Sequence, residues 1–146
     1  FLTTVNALVM IINNVEYHDD SYLYVGLILW VVGFLFEVIA DEQKRRFRSQ
    51  LSNKDNFISS GLWSISRHPN YFGEILLWIG MAVIAYPTLH GWQHISLISP
   101  VFIYFLLTRI SGVNLLENHA ELKWGDDEDY KKYKRNTPVL IPLFKK

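Results

Sequence analysis

Long stretches of apolar residues, separated by short polar segments, are the dominant pattern of this chain. Residues 22–40 contain a single charge, Glu37, and would form a helix of about 28 Å. That length is close to the hydrocarbon thickness of a bilayer, about 30 Å. The pattern therefore predicts an all-α bundle of about four membrane-spanning helices. The predicted spans are residues 1–12, 22–40, 71–86 and 95–116, the last interrupted by Pro100 and Arg109.

Cations occur in alternate polar segments. One group lies between Ala40 and Tyr71, another follows Leu116, and only Arg109 lies inside a predicted span. This alternation follows the positive-inside rule, so residues 40–70 and the tail 117–146 are expected on the same cytosolic or matrix side. We expect the tail to be helical to about Lys134 and extended through Pro138 and Pro142. A soluble helical core is the alternative, but it would produce the alternation only by chance.

Composition narrows the function classes. The 146 residues are 50% apolar and 19% charged, with a net charge of zero and no cysteine. A basic nucleic-acid binder, a disordered segment, a thiol nucleophile and a thiolate metal site are therefore excluded. No phosphate-binding glycine loop and no zinc-protease motif occurs, and we predict no metal site. Because Phe1 lies within an apolar stretch, we expect the sequence to be part of a longer protein.

The first cluster of polar residues follows the second predicted span. If that helix continues past Ala40, spacings of three and four place the cluster on one face. Its members are Glu37, Asp41, Lys44, Arg45 and Arg48. Arg45 and Arg48 suit phosphate oxygens, and Asp41 suits either an ion pair with Arg45 or a ribose hydroxyl. The alternative is a basic helix end that contacts lipid headgroups.

The second cluster surrounds the start of the third predicted span. Arg67 and His68 precede Pro69, and Asn70 is the predicted N-cap of the helix. Free N–H groups at such a helix start favour an anion or a ligand carbonyl. Glu74 follows inside the span, where an acidic residue is a functional candidate. The alternative is a structural role, in which Glu74 pairs with Arg67 or His68.

The third cluster lies at the end of the last span and in the tail. It contains Arg109, Asn114, Glu117, His119, Glu121, Trp124, Tyr130 and Tyr133. Arg109 should face the bundle interior or a wet cavity, and Glu117 or His119 is placed to contact a polar ligand. The alternative is an interfacial belt, with the aromatic residues at headgroup level.

Three separated motifs then occur in a fixed order. They are Asp41-x3-Arg45-x2-Arg48; Gly61-Leu62-Trp63 with Ser66-Arg67-His68-Pro69-Asn70-Tyr71-Phe72-Gly73-Glu74, Trp78 and Gly80; and Leu115-Leu116-Glu117, Trp124-Gly125, Tyr130, Tyr133 and Leu140-Ile141-Pro142. This order resembles the membrane proteins related to steroid 5-alpha-reductase, in particular their branch of unassigned function. The resemblance covers about residues 25–143.

The resemblance implies an NADPH-dependent membrane reductase that acts on a carbon–carbon double bond of a lipid or steroid-like substrate. It implies that Arg45 and Arg48 hold phosphates, that Asp41 holds the ribose or adenosine side, and that Asn70, Tyr71 and Glu74 line the nicotinamide. A histidine near the tail is also used in that family, and His119 is the nearest candidate. The cofactor-binding candidates are Asp41, Arg45, Arg48, Arg67, His68, Asn70, Tyr71, Glu74, Glu117 and His119; no catalytic residue is assigned.

The resemblance further implies that residues 1–146 form a single membrane domain, the C-terminal cofactor-binding half of such a protein. Two other functions remain open. Arg67-His68-Pro69-x-Tyr71-x-Gly73 with Glu117 is also similar to isoprenylcysteine carboxyl methyltransferases, which use S-adenosylmethionine. The chain would alternatively be a structural subunit of a larger membrane complex. The expected partners are the bilayer, a lipid-like small molecule and possible further subunits, with no nucleic acid.

Overall fold

The computed structural model describes residues 21–110 and 112–143, and these residues form helices and short turns. The predicted span at 1–12 lies outside them. The α-helices are α1 (Ser21–Ser49), α2 (Pro69–Ala85), α3 (Ser99–Phe105), α4 (Val113–Trp124) and α5 (Glu128–Asn136). Four 3₁₀ helices lie at Leu51–Asn53, Gly61–Ser64, Tyr86–Thr88 and Gly91–Ile98 of the described residues. A π-helical turn lies at Leu106–Ile110.

The predicted all-α membrane bundle is confirmed. Three helical segments of the described chain are long and apolar enough to cross a bilayer: Ser21–Ser49, Pro69–Thr88 and Gly91–Trp124. Pro100 lies in the first turn of α3, and Arg109 lies in the π-helical turn, so the third segment is irregular where the sequence predicts interruptions. Its many exposed apolar side chains, such as Phe102 and Phe105, suit contact with acyl chains.

Four glycines form the contact between the antiparallel helices α1 and α2. Gly26 lies opposite Gly80, and Gly33 lies opposite Gly73. A Cβ atom added at Gly33 would lie 2.6 Å from the carbonyl oxygen of Gly73, and one added at Gly80 would lie 2.6 Å from that of Gly26. Because glycine has no side chain, the two backbones approach closely and pack tightly. In a bilayer, where apolar side chains gain nothing by leaving the lipid for a helix contact, such packing stabilises helix association. The packing of α1 against α2 therefore fixes the position of the polar end of α1 relative to that of α2.

The tail closes the polar end of the bundle. It is helical with a break between α4 and α5, where Asp127 caps α5 by accepting from the backbone N–H groups of Asp129 and Tyr130. The segment after Asn136 leaves the helix, as predicted: Thr137 has an extended backbone, and bends follow at residues 139–141. It runs beside the loop that precedes α2: the Arg67 N–H donates to the Pro138 carbonyl at 2.9 Å, and the Ser66 hydroxyl to the Leu140 carbonyl at 2.8 Å. The loop that carries Arg67 and His68 is therefore fixed from both sides.

Candidate functional site

A cavity of about 110 Å³ lies where α1, the loop before α2, α4 and α5 meet. Its walls combine aromatic rings, three cations and one carboxylate. They are formed by Lys44, Phe47, Arg48, Asn56, Phe57, Ile58, Trp63, Arg67, His68, Leu116, Glu117, Ala120, Trp124, Tyr130 and Tyr133. The structure thus brings together members of all three polar clusters that the sequence analysis separates.

Glu117 connects the second cluster to the third. One carboxylate oxygen accepts from Arg67 Nη1, and the other lies 2.8 Å from His68 Nε2. The side chains of Arg67 and His68 are only 10% and 7% exposed, so these charges interact away from bulk water. The alternative in which Glu74 pairs with Arg67 or His68 is wrong, because Glu117 occupies both partners.

Arg67, which lines the cavity, also has a buried donor without a partner in the described part of the chain. Its Nε is buried and has no hydrogen-bond partner among the described residues. A buried donor without a partner costs about 1–3 kcal/mol, and a ligand oxygen in the cavity would satisfy it. The orphaned N–H, together with the cationic lining, therefore fits an anionic or carbonyl-bearing ligand.

The start of α2 differs from the prediction. The N-cap is His68, with φ −136° and ψ 61°, and Pro69 occupies the first helical position, so the expected capping role of Asn70 is wrong. The ring of proline has the φ that a first helical residue needs and no N–H to satisfy, which moves the boundary upstream of Asn70. Asn70 instead donates through Nδ2 to Asp41 Oδ1 at 3.0 Å. This bond connects α2 to the polar end of α1.

Helix α1 does continue past Ala40, as the first cluster requires. Lys44 lies over the Trp63 ring, 5.0 Å from its centroid, and Arg48 lines the cavity. Arg45 is exposed and lies outside the cavity lining, since it pairs with Glu42 through bonds of 2.7 and 2.8 Å. The ion pair with Arg45, one of the two roles that the sequence left open for Asp41, is therefore wrong.

A second polar group lies next to His68. Tyr71 stacks on His68 with ring centroids 5.6 Å apart. Glu74 lies one turn further along α2 and interacts electrostatically with Tyr71, with Asp41 and with Glu37 of α1. Asp41 and Asn70 are thus bonded between α1 and α2, with Tyr71 and Glu74 near them and all four outside the cavity lining.

The tail aromatics form one wall of the cavity. Phe57 packs against Tyr130 and Tyr133, at centroid distances of 5.2 and 5.4 Å. The Tyr133 hydroxyl donates to the Trp63 carbonyl at 2.7 Å, and burial raises the pKa of the Tyr133 phenol. Tyr130 is only 3% exposed. These aromatic side chains pack against the loop and line the cavity, which differs from the alternative in which they form a belt at the level of the lipid headgroups.

The sequence analysis did not single out Phe57 or its loop. Trp124 Nε1 donates to the Asp55 carbonyl at 2.6 Å, and Lys123 Nζ lies 3.2 Å from Asp55 Oδ1, which holds the loop against α4. These residues follow no periodic pattern in the sequence, so only the folded structure shows that they lie together. His119 is exposed and lines a neighbouring cleft instead of the cavity. Within the described ranges, no group of three His, Cys, Asp or Glu side chains is arranged to hold a metal ion.

Comparison with known proteins adds a family. The family model described as "Protein of unknown function (DUF1295)" matches residues 2–137. The chain is 27% identical over 131 residues to "3-oxo-5-alpha-steroid 4-dehydrogenase 1" of Bos taurus, covering 88% of this chain and 44% of the relative. The chain therefore spans less than half the length of that relative.

Two shorter matches are to a protein named as a reductase and to one named as a methyltransferase. The chain is 36% identical over 70 residues to "Very-long-chain enoyl-CoA reductase" of Dictyostelium discoideum, covering 48% of this chain and 23% of the relative. It is 30% identical over 72 residues to "Probable O-methyltransferase ustE" of Ustilaginoidea virens, covering 49% and 25%. No solved structure matches the chain. The resemblance to steroid reductases with a secondary similarity to methyltransferases is confirmed.

Proposed function

The chain belongs to the family described as "Protein of unknown function (DUF1295)", and we propose that it is the cofactor-binding part of a membrane reductase that uses NADPH. The proposed substrate is a lipid or steroid-like molecule with an activated carbon–carbon double bond. The relatives named as a steroid dehydrogenase and an enoyl-CoA reductase support the reaction class.

The charge of the cavity is the observation that carries the proposal. Lys44, Arg48 and Arg67 line it against one acid, Glu117, whose two oxygens already contact Arg67 and His68. Positive charge is therefore in surplus beside flat aromatic surfaces. A dinucleotide presents both phosphates and planar rings, so the lining suits its chemistry.

Each side chain then has a defined task toward the cofactor. Arg67 offers its unpaired Nε to a ligand oxygen, Arg48 offers its guanidinium to phosphate, and Phe57 shields the cavity from water. The resemblance implies that Asn70, Tyr71 and Glu74 line the nicotinamide, and they lie beside His68, next to the cavity lining. Bound NADPH would supply the hydride, while the protein supplies position and electrostatics.

Methyl transfer from S-adenosylmethionine is the second candidate, because a protein named as an O-methyltransferase, ustE, is similar to part of this chain. S-adenosylmethionine has a positive sulfonium centre and no phosphate, so the surplus of cations suits it less well. A structural subunit that retains the fold without a cofactor is the third possibility. All three make different predictions for ligand binding.

Thermal unfolding of the detergent-solubilised chain distinguishes them. A ligand at about 100 times its Kd adds about 2.7 kcal/mol to the stability of the folded state, which raises Tm by about 5–10 °C for a chain of this size. We expect this rise with NADPH, a loss of most of it in Arg67→Met, and retention in Lys131→Gln, whose site lies outside the cavity lining. A rise with S-adenosylmethionine alone would support the methyltransferase, and no rise with either ligand would support the structural subunit.

A further inference from the structure

An open cleft of about 700 Å³ adjoins the cavity and shares part of its wall, including Arg48, Asn56 and Trp124. The cavity alone is smaller than the range of about 300–1,000 Å³ that is usual for small-molecule sites, whereas the cleft falls within it. A ligand as long as a dinucleotide must therefore extend from the cavity into an adjoining depression.

The cleft is lined by four basic side chains and, among its lining residues, by no acid: Arg48, Lys54, His119 and Lys123. In the part of the chain that the structure describes, the side chains of Arg48, Lys54 and His119 have no ion pair. By contrast, Arg45 pairs with Glu42 and Lys134 with Glu121, while Lys123 of the cleft pairs with Asp55, which lies outside the cleft lining. The cleft therefore holds positive charge without a matching acid in its walls.

A second open cleft, of about 590 Å³, borders the cavity on the other side of Phe57. Its charged lining residues are Asp127, Asp129 and the single cation Lys132. Phosphate groups would meet net negative charge there. The charges of the two clefts therefore favour a bound phosphorylated ligand that extends from the cavity into the basic cleft.

We propose that the basic cleft holds the 2′-phosphate end of NADPH, and that Lys54 and Lys123 make the site selective for NADPH over NADH. The inference rests on the proposed function and deepens it. It assigns the selectivity to a loop residue and an α4 residue that the sequence analysis did not select. Arg45, which the resemblance implies as a phosphate ligand, lies outside this cleft and outside the cavity.

Calorimetric binding of two half-cofactors to the detergent-solubilised chain tests the proposal without any turnover. Adenosine 2′,5′-bisphosphate carries the 2′-phosphate, and adenosine 5′-monophosphate does not. We expect Lys54→Gln and Lys123→Gln each to weaken the bisphosphate about tenfold, which corresponds to about 1.4 kcal/mol, and to change the monophosphate by less than about twofold. The NADPH and NADH dissociation constants should show the same difference.

Two controls separate the charge from other effects. Lys131→Gln removes a cation outside the cleft and should change neither ligand. Asp55→Asn removes the carboxylate charge beside Lys123 but keeps both lysines and the bond from Lys123 Nζ to the Lys54 carbonyl, so the preference for the 2′-phosphate should persist. Equal weakening of both half-cofactors in Lys54→Gln and Lys123→Gln, or a wild-type chain with no preference for the bisphosphate, would overturn the inference while NADPH binding still upheld the proposed function. Failure of NADPH itself to bind would overturn both.

Discussion

Replacing Glu117 by alanine should damage the cavity more than any other single change to its charged wall. The carboxylate is the shared partner of Arg67 and His68, which come from the loop before α2, whereas Glu117 belongs to α4. Its removal leaves a guanidinium that is 10% exposed without its ion-pair partner. The substitution therefore tests whether this contact couples α4 to the site.

The expected magnitude follows from burial. Breaking a fully buried ion pair by removing one partner costs about 3–5 kcal/mol. Because the Glu117 side chain is 20% exposed, water relieves part of the penalty, and we expect a loss of about 2–3 kcal/mol in the free energy of unfolding. For a chain of this size the loss lowers Tm by about 5–10 °C.

A double-mutant cycle in detergent provides the assay. Arg67→Met alone leaves Glu117 without its guanidinium partner, whereas the combination with Glu117→Ala removes both charges. We therefore expect the double variant to lose at least about 1 kcal/mol less than the sum of the single losses. Lys131→Gln, which removes only an exposed pair with Glu128, should leave stability essentially unchanged. Strict additivity of the two changes would refute the coupling.

Three further predictions concern the frame of the site. Gly33→Leu should cost about 1–3 kcal/mol, because its Cβ meets backbone atoms of α2 at 2.6 Å, while Val31→Leu on the exposed face of α1 should have little effect in the same thermal unfolding assay. Burial raises the pKa of the Tyr133 phenol, so the neutral phenol stabilises the fold below pH about 10, its unfolded value, and this contribution declines at higher pH. The free energy of unfolding, measured by denaturation from pH 9 to 11, should therefore fall less steeply in Tyr133→Phe than in the unmodified chain. An equal fall in both would contradict the role of Tyr133. Asp127→Ala should cost about 0.5–2 kcal/mol through the lost cap of α5, and replacement with no loss of α5 helicity by circular dichroism would contradict that role.

Much of the architecture could be predicted because it depends on local composition. The apolar stretches 22–40 and 71–86 correspond to the membrane parts of α1 and α2, since length and hydropathy alone decide whether a helix suits a bilayer. The sequence also predicts the continuation of α1 into its basic end and the end of the tail helix near residue 136. The pairing of glycines across α1 and α2 was not, because a glycine in one helix does not indicate which residue it faces.

The sequence by itself determined the class of the protein, a helical membrane bundle with polar clusters at its basic ends, because apolar runs and cation placement depend on local composition. It also supplied the candidates Arg67, His68 and Glu117. Only the tertiary structure decided their partners: Glu117 and not Glu74 holds Arg67, and Asp41 contacts Asn70 instead of Arg45. Such pairings depend on which faces of distant helices and loops meet, and electrostatic energy falls with separation in space, whatever the distance along the chain.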